Sequence, residues 1–172
     1  YLDLANGVIS QSDDITLEIW YVADPMPAWI RLIDFGTGSG GEINGPGGTM
    51  NGTDYITFAI SPPAEGISIF QRLQGGVADT RFIYGHPVQP VHLALTFDSG
   101  TNFWTCYANA VAVQRFSGRG PRSIPDVNNW IGRSSFDYDP NFDGRVDELR
   151  VYPRALTPAE LRGNLLRGPA TP

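Results

Sequence analysis

Gly144–Tyr152, with the sequence GRVDELRVY, is the stretch that decides the fold. Polar and apolar residues interchange along it, as expected for a β-strand with one buried face. It follows the acidic segment FDYDPNFD at 136–143, which is rich in the turn formers aspartate, asparagine and proline. Together, the two segments predict a turn that leads into a strand near the end of the chain.

An EF-hand calcium loop is the competing interpretation of the same segment. Asp139, Asn141, Asp143 and Gly144 match loop positions 1, 3, 5 and 6. Position 12 should be a bidentate glutamate, but it is Arg150, whose charge repels Ca²⁺. The flanks also have the character of turn and strand instead of helix. A turn, or a single-ion site of a different geometry, therefore fits the segment better.

The composition indicates one folded domain. The chain has 172 residues, of which 41% are hydrophobic and 12% aromatic, and its formal net charge is −6. This length suits a single domain, and no apolar run approaches the ~18 residues that a membrane-spanning helix requires. The negative charge argues against nucleic-acid binding, which depends on clustered cations. Cys106 is the single cysteine, which excludes an intrachain disulfide, and we expect it to be a buried hydrophobe.

Short segments with strand character account for most of the chain. The predicted strands are 1–4, 15–22, 29–35, 55–60, 67–73, 81–84, 91–97, 102–107, 111–116 and 146–152. The one helix signal is TPAELR at 157–162, where Thr, Pro and Glu stand at the N-cap, N1 and N3 positions of a capping box. These elements predict an all-β fold, a two-sheet antiparallel β-sandwich with one short C-terminal helix.

Catalysis by paired carboxylates finds little support. Asp147 and Glu148 are adjacent, so on a strand they point to opposite faces and cannot act on one bond. A possible lyase set of His86, Arg81 and Tyr84 rests on loop spacing alone, and no His/Cys cluster suits zinc. A polysaccharide-cleaving enzyme is therefore the least favoured function, and no catalytic residue is predicted.

Aromatic side chains at the rim of a sandwich can stack on sugar rings. Trp29, Tyr84, Trp104 and Tyr138 are the predicted ligand-binding residues. Tryptophan and tyrosine also fill sandwich cores, so we expect only one or two of these side chains at the surface.

Seven segments, taken together, carry a family resemblance. They are YLDL at 1–4, ITLEIW at 15–20, IDFG at 33–36, HLALTFD at 92–98, YANAVAV at 107–113, WIGR at 130–133 and FDGRVDELRVYPRALT at 142–157. In this order they resemble laminin-G-like, concanavalin A-like jelly-roll domains of the bacterial secreted type. The resemblance implies a jelly roll over residues 1–165, followed by a C-terminal tail or linker at 166–172.

The resemblance implies binding rather than catalysis. Related domains are carbohydrate-binding or adhesion modules, so we expect a non-catalytic module in an extracellular, periplasmic or cell-surface location. Its partner would be a glycan or an extracellular or membrane-associated protein. The alternative is a structural or accessory subunit of a larger assembly, without a small ligand. The start at Tyr1, without an initiator methionine, leads us to expect a longer polypeptide.

The resemblance also implies one structural calcium ion. In related glucanases the ion is held by an aspartate on the last strand and by backbone carbonyls from the N-terminal region and a mid-chain glycine. Asp147 matches that aspartate, and Gly36 and the Asp3 region are the matching carbonyl donors. The sequence departs from the family pattern at one hairpin, where Ala110 follows Asn109 in place of the usual glycine.

Overall fold

The computed structural model describes residues 1–23, 29–43, 51–61, 66–73, 76–80 and 91–170. Within these ranges the chain forms strands and one α-helix in a fixed order. The strands are β1 (Leu2–Leu4), β2 (Ile15–Ala23), β3 (Ile30–Gly38), β4 (Gly52–Ser61), β5 (Gly66–Leu73), β6 (Gly76–Thr80), β7 (Val91–Asp98), β8 (Phe103–Ala108), β9 (Val111–Ser117), β10 (Asn128–Ile131) and β11 (Gly144–Tyr152). A 3₁₀ turn spans Pro121–Ser123, and helix α1 spans Pro158–Arg167.

The strands form two antiparallel sheets. One has six strands in the order β1-β10-β3-β4-β5-β6, and the other has five in the order β11-β2-β7-β8-β9. The predicted all-β sandwich with a short C-terminal helix is therefore confirmed. The predicted strand at 81–84 lies outside the described residues, and with it Tyr84.

The core lies between the two sheets and is built from alternate residues of their central strands. Leu17 and Ile19 of β2 pair in register with Leu95 and Leu93 of β7, and all four side chains are buried. They pack with residues of the six-stranded sheet such as Phe35. This alternation explains why the period-two pattern located β2 correctly.

Strand β11 lies at the edge of the five-stranded sheet and pairs with β2. The stretch that predicted a strand therefore forms one over its whole length. An EF-hand would need a helix at this point, so the structure favours the turn-and-strand interpretation. A register shift between Val146 and Glu148 marks a β-bulge that leaves Asp147 without a cross-strand partner.

The predicted capping box is present at the start of α1. The Thr157 hydroxyl accepts a hydrogen bond from the Glu160 amide, and the Glu160 carboxylate accepts one from the Thr157 amide at 2.8 Å. These reciprocal bonds satisfy two backbone donors that a helix start would otherwise leave unpaired. In the part of the chain that the structure covers, no helix has the length and apolar character to cross a membrane.

The end of α1 extends the packed structure beyond the predicted boundary. The boundary at residue 165 falls inside the helix, which continues to Arg167. The Ala170 amide then donates to the Glu148 carboxylate at 2.8 Å. Residues 166–170 are thus held against β11.

Candidate functional site

The outer face of the six-stranded sheet carries a polar and aromatic layer outside the core. A bulge in β3 between Arg31 and Ile33 changes the alternation of side chains, so Arg31 and Asp34 reach the same face. Without the bulge, two residues three positions apart would point to opposite sides of the sheet. Both side chains are buried there.

The loop 132–143, which joins β10 to β11, packs onto this face. The Ser135 amide and hydroxyl donate to the two carboxylate oxygens of Asp34, each at 2.8 Å. Phe136 packs against Tyr55 and Ala59 of β4, and its ring meets that of Tyr55 edge-on at 5.8 Å between centroids. The loop is therefore fixed to the sheet by one buried carboxylate and one aromatic contact.

Asp34 has an unusual electrostatic environment. Burial raises its pKa to about 6, although the nearby Arg31 and the donors of Ser135 favour the charged form. Desolvation disfavours the charged form of a buried carboxylate, and here it outweighs these favourable contacts. The contact between the loop and the sheet therefore includes a group that titrates in mildly acidic solution.

Arg31 links the loop to the start of β3. Its Nη2 lies 3.1 Å from Oδ2 of Asp139, and its Nη1 donates to the Trp29 carbonyl at 2.8 Å. Its Nε lies 3.7 Å from Oδ2 of Asp34. The guanidinium carbon is 5.9 Å from the ring centroids of both Trp29 and Phe136. One buried cation thus holds two carboxylates and two rings in a fixed arrangement.

Two aromatic side chains of this layer face the solvent. Trp29 is 38% exposed and Tyr138 is 75% exposed, and the Tyr138 ring lies 5.8 Å from that of Phe136. The Trp29 backbone has a φ of 68°, a left-handed conformation that is rare for a bulky residue. We refer to Trp29, Arg31, Phe136, Tyr138 and Asp139 as the aromatic patch.

The structure thus connects two of the four predicted ligand-binding residues, Trp29 and Tyr138, through Arg31 and Phe136. It contradicts a surface role for Trp104, whose side chain is fully buried and donates through Nε1 to the Arg119 carbonyl at 3.0 Å. Trp104 and Cys106 lie two residues apart on β8 and share the core face. The alternation that buries Cys106, as predicted, therefore also buries Trp104.

Four residues of the patch and its support were not predicted as ligand-binding residues: Arg31, Asp34, Phe136 and Asp139. A signal was present for two of them, because WIRLIDF at 29–35 contains an arginine and an aspartate inside an otherwise apolar strand. Charged residues in a buried strand are usually paired. Phe136 had no comparable signal, since its burial depends on how the loop folds back over β4.

The three predicted calcium ligands lie on strands of two different sheets. Asp147 of β11 pairs with Arg145, with 2.7 Å between Oδ1 and Nε. The Gly36 carbonyl of β3 accepts from the Val127 amide at 3.1 Å, and Asp3 belongs to β1. Among the residues that the structure describes, no three His, Cys, Asp or Glu side chains form a cluster that could hold a metal ion. The calcium ion stays a prediction.

Glu148 is engaged in a salt bridge on the other side of the molecule. Arg150 donates to both of its carboxylate oxygens, at 2.8 and 2.7 Å. Hydrogen bonds from Arg150 and from the Ala170 amide lower the pKa of Glu148. A lowered pKa suits a structural ion pair and not a general acid.

Solved structures share this architecture. The CBM40 module of the Ruminococcus gnavus IT-sialidase, in complex with α2,3-sialyllactose, has a TM-score of 0.72 at 16% identity, and the match covers 94% of each chain. Domain 4 of AbnA, an extracellular GH43 arabinanase of Geobacillus stearothermophilus, in complex with arabinotriose, has a TM-score of 0.71 at 20% identity; the match covers 94% of this chain and 70% of that one. The NanB sialidase of Streptococcus pneumoniae has a TM-score of 0.66 at 15% identity, with 88% of this chain and 24% of that chain covered. At these identities the likeness shows a common fold.

No curated protein sequence matches the chain significantly. The sequence profile of the concanavalin A-like lectin/glucanase superfamily, in its laminin-G form, matches residues 1–162. This match includes all eleven strands and the first half of α1. The chain therefore belongs to the concanavalin A-like lectin/glucanase superfamily.

Proposed function

We propose that the chain is a non-catalytic glycan-binding module, which stacks a sugar ring against the aromatic patch. The observation that carries this proposal is the exposure of Trp29 and Tyr138 on a rigid support of Arg31 and Phe136. The arabinotriose and sialyllactose complexes of proteins with the same fold support it further.

The chemistry of the patch suits a sugar. The apolar C–H face of a pyranose or furanose packs on an aromatic ring, while its hydroxyl groups need hydrogen-bond partners at the edge of that ring. Tyr138 supplies a ring and a hydroxyl, and the neighbouring Asp137 supplies an exposed carboxylate. Ring and carboxylate are adjacent in the loop that Asp34 and Arg31 hold in place. Such preorganisation lowers the entropy lost on binding.

The carboxylates of this layer support binding in preference to catalysis. Asp139 accepts from Ser134 at 2.7 Å and pairs with Arg31, while Asp34 is buried and accepts from Ser135. A general acid must reach the bond that it protonates, and these two groups are occupied by the protein itself. The extracellular source of the arabinanase relative supports an extracellular, periplasmic or cell-surface location, within a longer polypeptide.

Glycan binding and its site can be tested together. The wild-type chain is applied to a glycan array, and its best ligand is then titrated against Tyr138→Ala and against Leu166→Ala. Leu166 is the matched control, because it is 79% exposed but lies on α1 over the other sheet. Tyr138→Ala should lower the affinity about tenfold or more, while Leu166→Ala should bind like the wild type. Equal loss in both variants, or no loss in either, would contradict sugar binding at the patch.

An assembly role is the second candidate, and the edge strand β1 favours it. Leu2 is 55% exposed on β1, the outermost described strand of the six-stranded sheet, and Tyr1, just before it, is 52% exposed. Exposed apolar residues on an unpaired edge suit contact with an extracellular or membrane-associated protein, or with the rest of a larger assembly. Pull-down from the native extracellular fraction with wild type and Leu2→Asp tests this role, and equal recovery of partners by both proteins would dismiss it.

The structural calcium ion remains a hypothesis that rests on the family resemblance. If Asp147 binds calcium at the ~10⁻⁴–10⁻³ M level of extracellular modules, tenfold excess should stabilise the fold by about 1.4 kcal/mol. Thermal melts with calcium and with chelator measure this shift, and Asp147→Asn should remove it. Identical melting temperatures with and without calcium would reject the hypothesis.

A further inference from the structure

We infer that the aromatic patch selects uncharged glycans and discriminates against acidic ones. This inference rests on the proposed function, because it specifies the ligand class of the same site. Two neighbours with the same fold bind arabinotriose, which is uncharged, and sialyllactose, which carries a carboxylate. The charges around the patch favour the first class.

The cation of the patch is not available to an acidic sugar. An arginine that recognises a ligand carboxylate usually offers one edge of its guanidinium for two parallel hydrogen bonds. Two nitrogens of Arg31 already meet oxygens of the protein, Nη2 that of Asp139 and Nη1 the Trp29 carbonyl, while Nε is buried 3.7 Å from Asp34 without a hydrogen bond. The side chain is also only 5% exposed. A ligand carboxylate would have to displace a buried salt bridge to reach it.

A second cation lies on the same face but at a different place. Arg133 covers the rings of Trp130 and Tyr1, with 4.1 and 4.8 Å between its guanidinium carbon and their centroids. Trp130 belongs to β10 and Tyr1 precedes β1, so this stack stands toward the edge of the sheet.

The loop that presents Tyr138 is acidic. Residues 132–143 contain Asp137, Asp139, Asp143 and a single arginine, which gives a formal charge of −2. Asp137 is exposed and directly precedes Tyr138. A negative charge beside the stacking ring repels the carboxylate of an acidic sugar, because like charges at an interface oppose binding. The same oxygens accept hydrogen bonds from the hydroxyl groups of an uncharged sugar.

The site therefore discriminates by ligand charge, because Asp137 repels an acidic sugar and the buried Arg31 is not available to pair with it. The test is an array of matched oligosaccharide pairs, such as lactose with α2,3-sialyllactose and xylo-oligosaccharides with and without glucuronic acid. The uncharged member of a bound pair should bind about tenfold more tightly than its acidic counterpart. Its affinity should also change less than about twofold between roughly 50 and 500 mM salt, since no ion pair forms with the ligand.

Two variants locate the discrimination. Asp137→Asn should reduce the preference for the uncharged sugar about threefold or more. Asp13→Asn changes the net charge equally but lies outside the patch, in a surface pair with Arg122, and should leave the preference unchanged.

The outcomes separate this inference from the proposed function. Preference for the uncharged sugars, weakened in Asp137→Asn, supports the inference. Tighter binding of the acidic sugars, with an affinity that falls as salt rises, overturns it and leaves the module a glycan binder. Binding of neither class overturns the inference and the proposed function together.

Discussion

The two outer faces of the sandwich contain similar buried groups but are covered by different elements. Each has a buried carboxylate, Asp34 on the six-stranded sheet and Glu18 on the five-stranded sheet. Each also has an arginine against a tryptophan: Arg31 lies 5.9 Å from the Trp29 centroid, and Arg150 lies 4.4 Å from the Trp20 centroid. The covering element differs, because a loop covers the first face and α1 covers the second.

Helix α1 covers the outer face of the five-stranded sheet, which we call the closed face. Glu18 accepts from Asn164 of α1 at 2.7 Å and lies 3.0 Å from His92 Nε2, and all three side chains are buried. The Trp20 ring lies 4.5 Å from the His92 ring, tilted by 31°, and Trp20 is only 4% exposed. Asn164 binds Glu18 directly, so this buried carboxylate holds α1 to the sheet.

The loop 132–143 covers only part of the outer face of the six-stranded sheet, which we call the open face. It is held by Asp34 and Arg31, but it projects Tyr138 into the solvent. A helix has to bury one side along its whole length, whereas a loop can be fixed at a few points and expose the rest. The comparison teaches that the covering element, and not the composition of the face, distinguishes the proposed binding surface from the structural one.

The largest effect is expected from breaking the closed face. Glu18→Ala would leave the buried donors of His92 and Asn164 without their acceptor and should lower the free energy of unfolding by about 3 kcal/mol. Glu18→Gln, which keeps an acceptor oxygen, should lose less. Urea denaturation measures both values. Tyr138→Ala, at an exposed position, should lower the free energy of unfolding by less than about 0.5 kcal/mol. If Glu18→Ala lowers it by no more than this, the network around Glu18 does not stabilise the fold.

The second effect is the pH dependence that Asp34 gives to the open face. Since burial raises its pKa to about 6 from the usual 3.8, the folded state binds this proton more tightly than the unfolded state. The stabilisation is complete below the unfolded pKa and is lost as the pH rises through about 6, a loss of about 2 kcal/mol between roughly pH 4 and pH 7. Denaturation of wild type and Asp34→Asn across this window should show the loss in the wild type alone. Parallel curves for the two proteins would contradict the assignment.

The third prediction separates binding from stability at Trp29. Trp29→Gly removes the exposed ring but relieves a left-handed backbone, so affinity for the glycan should fall about tenfold while the free energy of unfolding changes by less than about 1 kcal/mol. Calorimetric titration and urea denaturation give the two values. Unchanged affinity would remove Trp29 from the site.

The smallest effect on stability is expected from relieving a second left-handed backbone, at the hairpin of the five-stranded sheet. Asn109 and Ala110 have φ values of 48° and 60° in the two-residue turn between β8 and β9, which is the conformation of a type I′ turn. Ala110→Gly should raise the free energy of unfolding by about 0.5–1 kcal/mol, because glycine adopts this conformation without steric cost. Glycan affinity should not change. A destabilised variant would mean that the packing of the Ala110 methyl group outweighs the backbone strain.

The sequence predicted the features that depend on local pattern. Alternation located β2, β8 and β11, a near-continuous apolar run located β7, and the capping box located α1. The missing glycine at Ala110 also signalled the strained hairpin. Each of these features depends on residues that are close in sequence, within a single strand, helix or turn. At that range, hydrophobic periodicity and intrinsic propensity determine the structure.

The candidate site was predicted only in part because it depends on long-range placement. The bulge in β3 brings Arg31 to the face of Asp34, and the loop 132–143 returns over β4 to bury Phe136. Neither event has a local sequence signature. Trp29 and Tyr138 were named as aromatic candidates, but their connection through Arg31 required the fold.

Sugar binding at the aromatic patch is tested most directly by an NMR titration of the ¹⁵N-labelled chain with its best array ligand. Stacking on the patch should shift the Trp29 indole signal and the amide signals of residues 134–139, while those of α1 stay in place. Shifts centred on α1 and β11, or an unshifted Trp29 indole at saturating sugar, would contradict it.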